Sequence, residues 1–142
     1  MSFNGRAVRS SMMIMMLLAG IGIGATAHRL LAAPPLFTET VLLRSDLPGI
    51  DIYELIVSRL ETAPGWSHGR HYHPGHEIVY VLEGSGALDL EGRPEQRLQP
   101  GTVSYVPPGK VHAGRNASSR EMFKFILFRL HAKNQPISVE LN

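Results

Sequence analysis

Residues 65–84 read GWSHGRHYHPGHEIVYVLEG, and a distant partner stretch, residues 101–116, reads GTVSYVPPGKVHAGRN. His71 and His73 are two residues apart. Side chains alternate faces along a strand, so both imidazoles leave the same side of an extended segment and can share one ion. Pro74 and Gly75 interrupt the run with one fixed φ and one permissive φ, which lets the chain bend and return Glu77 toward the same point. Two nitrogens and a carboxylate then converge. A divalent ion needs one further ligand to be held well, and His112, just after the turn-forming Pro107, Pro108 and Gly109, is the candidate.

Around these two stretches the chain is punctuated by Gly and Pro and shows no long 3.6-residue periodicity after Leu36. The expected strands are Thr38 to Leu43, Ile52 to Thr62, Arg70 to His73, Glu77 to Glu83, Gly86 to Glu91, Gln96 to Leu98, Thr102 to Val106, His112 to Arg115 and Phe123 to Leu130. Many short strands at regular spacing argue an all-β fold, a double-sheet jelly roll or small barrel. Two of them, Ile78 to Leu82 and Phe123 to Leu130, are apolar on both faces apart from Lys124 and Arg129. A strand buried on both faces needs a second covering layer, supplied by the N-terminal strands or by another subunit.

The two stretches resemble the paired motifs of the cupin superfamily. Gly65, His71, His73, Glu77 and Gly84 match the first motif, and Gly101, Pro107, Gly109, His112 and Asn116 match the second, each at the family's spacing. The sixteen residues from Ser85 to Pro100 between the motifs are few, as in small single-domain bacterial members. The resemblance implies a double-stranded β-helix (jelly-roll barrel) over residues 36–142. It also implies one divalent transition metal (Fe, Mn, Zn, Ni, Co or Cu) on His71, His73, Glu77 and His112, a small-molecule substrate, and a homodimer. The chemistry agrees with that ligand set, since neutral imidazoles and a carboxylate suit these ions and four protein ligands leave open positions if the ion is five- or six-coordinate.

Alone, a His-x-His pair reads as surface loop histidines; with both motifs intact the metal reading prevails. His68 and His76 lie outside the motifs and read as exposed loop residues. Tyr72 should point away from its flanking ligands, Tyr105 away from the cavity, and Trp66 either rims the pocket or packs beneath the turn. Asn116 is expected to cap a turn through backbone groups.

With 142 residues, 44% apolar and 18% charged, one domain is the expectation. The formal charge of +2 comes from Arg6 and Arg9, because residues 28–142 hold equal numbers of basic and acidic groups. A nucleic-acid surface is therefore unsupported. Cysteine is absent, which excludes disulfides and thiolate metal sites.

The first 27 residues run from a basic segment through an apolar one, SMMIMMLLAGIGIG, to Ala25-Thr26-Ala27, the order of a secretory signal peptide. They are expected to be a cleaved signal or, uncleaved, an inner-membrane anchor helix, followed by a linker over 28–35 and leading to a periplasmic or secreted domain.

Three functions fit. One is a dioxygenase-like enzyme with Glu77 leaving the metal to act as base, as in quercetin dioxygenase-like cupins. Another is a metal-dependent isomerase or lyase of a small sugar or hydroxy acid, and the third a non-catalytic binding module.

Overall fold

Ten strands and no helix account for the regular structure of residues 35–141, the residues described by a computed structural model. The expected signal or anchor segment and all but the last residue of the expected linker lie outside the described residues. In chain order the strands are β1 (Phe37–Leu47), β2 (Ile50–Thr62), β3 (Ser67–Tyr72), β4 (His76–Glu83), β5 (Gly86–Leu90), β6 (Gln96–Leu98), β7 (Val103–Val106), β8 (His112–Asn116), β9 (Phe123–Ala132) and β10 (Val139–Glu140). They form two five-stranded sheets, β1-β2-β9-β4-β7 and β10-β3-β8-β5-β6, with every neighbouring pair antiparallel. The jelly-roll expectation therefore holds. All nine expected strands are present; the tenth, β10, is too short to leave a periodic signal.

The core lies between the sheets. Val79 and Val81 of β4, Phe123, Phe125 and Leu127 of β9, and Leu60 of β2 face Leu88, Leu90 and Leu98 of the opposite sheet. Period-2 alternation sends the other half of β4 outward. Ile78 pairs with Tyr105 and Phe128, and Tyr80 with Val103, so these exposed side chains form one apolar band across the outer face. Strand β1 is exposed along nearly its whole length and joins the sheet at its edge, with β2 as its only ladder partner.

Two motif glycines show what their positions require. Gly84 has a φ of 76°, a left-handed conformation that side chains resist, and a Cβ there would meet the Met122 carbonyl oxygen at 2.2 Å. Gly75 does not use a left-handed φ; what its position demands is close passage. A Cβ on Gly75 would lie 2.0 Å from the Leu130 carbonyl oxygen, so only hydrogen lets this turn pass β9.

Asn116 fixes the end of β8. Its side-chain amide donates to the carbonyls of Thr62 (3.0 Å) and Glu121 (2.9 Å), and its Oδ1 accepts from the Ser118 amide at 2.8 Å. The expected cap thus ties β8 to the end of β2, in the other sheet.

Candidate metal centre

The site sits between the two sheets, and each sheet contributes a different chemistry. His71 on β3 and His112 on β8 are directly paired across strands, and His73 follows β3 by one residue. From the other sheet, Glu77 on β4 pairs with Arg129 on β9. All four expected ligand residues are buried, each at 5% exposure or less. The Nε or Nδ atoms offered by His71, His73 and His112 lie within 4.8 Å of one another. Glu77 falls just outside that set but touches it: Oε2 is 3.2 Å from His73 Nε2, and Oε1 is 3.8 Å from His112 Nε2.

The orientation of the rings is fixed from behind. His71 Nδ1 donates to the Gly69 carbonyl at 2.8 Å, His73 Nδ1 to the Ile137 carbonyl at 2.5 Å, and His112 Nδ1 to the Lys110 carbonyl at 3.0 Å. A carbonyl only accepts, so each Nδ1 carries the proton and each Nε2 keeps its lone pair. Three buried Nε2 lone pairs directed at one point are what a divalent ion requires, and backbone carbonyls behind metal-binding rings are the usual orienting partners. The residues present fit such an ion.

Electrostatics reinforce the neutral form. Burial pushes the His71 imidazole down to about 4, and burial likewise lowers His112, in both cases against the pull of the carbonyl behind the ring. Burial by itself would raise the Glu77 carboxyl, but the Arg129 guanidinium and the nearby His73 and His112 outweigh it and hold it below the ordinary carboxylate range. At neutral pH the centre therefore presents neutral imidazoles at His71 and His112 and a carboxylate at Glu77.

The imidazoles open onto a cavity of about 80 Å³, room for about three waters. Its polar end holds the three histidines, Glu77 and Arg129; its apolar end is walled by Leu88, Leu98, Phe125 and Leu127. Trp66 rims the mouth, stacked on Phe37 with ring centroids 5.8 Å apart. His68 belongs to β3 rather than a loop, lines the cavity, stacks on His71 at 3.9 Å, and places Nε2 3.2 Å from Glu140 Oε1. Tyr105 stays off the cavity wall, bonded through its hydroxyl to His76 Nδ1 at 2.8 Å.

Sequence reading missed two site residues. Arg129 was visible as a charge in an otherwise apolar strand, and that interruption was its only signal. Glu39, which accepts from Arg129 Nη1 at 2.8 Å, gave none.

Residues 58–128 match the Cupin domain family, 71 of the 142 residues. A 67-residue segment is 34% identical to the dimethylsulfoniopropionate lyase DddQ of Ruegeria pomeroyi, covering 47% of this chain and 33% of that one. The chain thus spans only about a third of that relative's length. The crystal structure of the same lyase superposes with a TM-score of 0.59 at 24% identity, over 73% of this chain and 51% of that one. A cupin-like protein of Thermotoga maritima superposes with a TM-score of 0.61 at 27% identity, over 75% and 79% of the two chains.

Proposed function

From the premise that this chain belongs to the cupin domain family, we propose that it is a metal-dependent lyase acting on a small organic acid. The observation that carries the reading is the convergence of three buried, Nε2-directed imidazoles and the Glu77 carboxylate on a cavity sized for a few heavy atoms. His71, His73, His112 and Glu77 would hold one divalent ion, whose contribution when bound is to polarise a substrate oxygen. The lyase class is supported by the 34% identity to a dimethylsulfoniopropionate lyase over 67 residues.

The chain's own residues divide the remaining work. Arg129 stabilises Glu77 as an anion, which makes that carboxylate a weak base. His68 is the group placed to take a proton. Its Nε2–H donates to Glu140, leaving Nδ1 with a lone pair and no protein partner among the described residues. In an elimination the C–H bond beside the carboxylate would break toward this base while the bond to the β leaving group breaks with its electron pair. The apolar wall of Leu88, Leu98, Phe125 and Leu127 excludes water from the carbon being deprotonated.

The test is a panel of small carboxylates with β leaving groups, dimethylsulfoniopropionate included, incubated with the metal-loaded protein and followed by proton NMR. Elimination product that disappears in His68→Gln, with metal content unchanged, supports the assignment. No product from any member counts against it, and oxygen uptake matched to substrate loss would move the reading to dioxygenase-like chemistry.

We also propose that a second copy of the chain covers the band of Ile78, Tyr80, Val103, Tyr105 and Phe128, because these five exposed side chains, Val103 at 60%, are neighbours on one sheet face and contiguous exposed apolar surface marks interaction sites. Light scattering giving a single-chain mass at micromolar concentration would rule that out. Export with cleavage after Ala27 is the companion proposal, supported by the basic, apolar and small-residue order of the first 27 residues. N-terminal sequencing of native protein should begin at His28; an intact Met1 in a soluble cytoplasmic fraction refutes it.

A further inference from the structure

The two oxygens of Glu77 have unlike surroundings. Oε2 accepts Arg129 Nε at 3.0 Å and faces His73 Nε2 at 3.2 Å, whereas Oε1 accepts no hydrogen bond among the described residues. Arg129 is itself held at its other end, where Nη1 donates to Glu39 of β1 at 2.8 Å. Both members of the inner pair are shielded, with side-chain exposures of 12% for Arg129 and 7% for Glu77. A guanidinium does not give up its charge, and a charge-assisted hydrogen bond in such surroundings is of the strong kind.

A carboxylate can hold an ion through one oxygen or both, and a charge-assisted hydrogen bond from a fixed guanidinium occupies one lone pair of Oε2 and opposes the turn that chelation would need. We propose that Arg129, anchored by Glu39, holds Glu77 Oε2 back from the metal, so that Glu77 binds through Oε1 alone and one coordination position stays open for an exogenous ligand. Arg129 is thereby a positioning residue, acting on the substrate's place at the metal through Glu77. The inference rests on the reading of His71, His73, His112 and Glu77 as metal ligands.

Removing the guanidinium has two effects of the same sign on the metal. It takes away a positive charge that repels the ion, and it frees Oε2 to chelate. Metal affinity should rise while the open position closes. The second effect is the specific one, and a neutral exogenous ligand reads it without interference from the lost charge.

The experiment loads the full chain with Co²⁺ and titrates it with imidazole at pH 8, following the visible absorption bands. In Arg129→Met, cobalt should bind about tenfold or more tightly, and imidazole should bind about tenfold or more weakly than in the wild type. Arg129→Met leaves Glu39 and Glu77 without a counter-charge, so the double variant Glu39→Gln/Arg129→Gln is measured beside it, with folding checked by circular dichroism. It is expected to shift both affinities in the same directions. Unchanged imidazole affinity in either folded variant, with cobalt still bound and lost in His71→Ala, overturns this role of Arg129 and leaves the metal centre standing. Failure of the wild type to bind cobalt overturns the metal reading and this inference with it.

Discussion

The metal-free protein should lose stability on mild acidification chiefly through His71. The imidazole is 4% exposed and held neutral, with burial lowering it to about 4; in an unfolded chain it returns to about 6.5. Between these values the unfolded state binds a proton that the folded state refuses. Stability contributed by the neutral ring is therefore fully present above about 6.5 and falls as pH drops toward about 4. The gap corresponds to about 3 kcal/mol between pH 7.5 and 4. His112, lowered by the same cause, acts in the same direction. Glu77, a carboxyl held below its ordinary range, begins to lose its contribution only at the foot of the window, near its unfolded value of about 4.3, and does so in wild type and variant alike. Urea unfolding of chelator-treated protein at half-unit steps from pH 7.5 to 4 measures the loss, and His71→Gln provides the reference that cannot titrate. The wild-type curve should fall about 2–3 kcal/mol further than that of the variant across the window. Parallel curves would refute the argument that burial of this ring is what keeps it neutral.

Three further outcomes follow from the packing. Asn116→Ala removes three hydrogen bonds at the end of β8 and should cost about 2–3 kcal/mol, seen as a melting temperature lower by roughly 10–20 °C. Gly75→Ala, which drives a methyl into the Leu130 carbonyl, should destabilise by about 1–3 kcal/mol, whereas Gly69→Ala, with nothing within 4 Å of its Cβ, should leave the urea midpoint nearly unchanged. Glu140→Gln should slow proton removal by His68 without changing metal content, because Glu140 touches the base and the ion is assigned to the buried three-histidine group rather than to the second group of His68, His71 and the exposed Glu140.

The strand plan was legible because Gly and Pro mark the corners and period-2 alternation marks the strands between them. The four candidate ligand positions were legible for the same local reason: His71 and His73 share a strand face, and the Pro-Gly turns return Glu77 and introduce His112. Arg129 and Glu39 were not, since what matters about them is their register. Glu77 lies opposite Arg129 on a strand 52 residues away, and Arg129 reaches Glu39 another 90 residues back along the chain. No local pattern encodes such pairings. β10 was missed for a related reason. Two residues cannot show a period, yet the segment leading to β10 supplies the Ile137 carbonyl behind His73, and β10 itself supplies Glu140 beside His68. His68 reads as a loop residue because it lies outside both motifs, whereas β3 already includes it and reaches His71 through an irregular register.

The most direct measurement of the central claim is elemental analysis of the purified wild type beside His71→Ala and His112→Ala, at matched folding by circular dichroism and at pH 7.5, where the imidazoles are neutral. One divalent transition metal per wild-type chain, with clear loss in both variants and no loss of fold, is the result that three converging Nε2 donors predict. Equal metal content in all three proteins would contradict it and would leave the cavity a binding pocket without a metal centre.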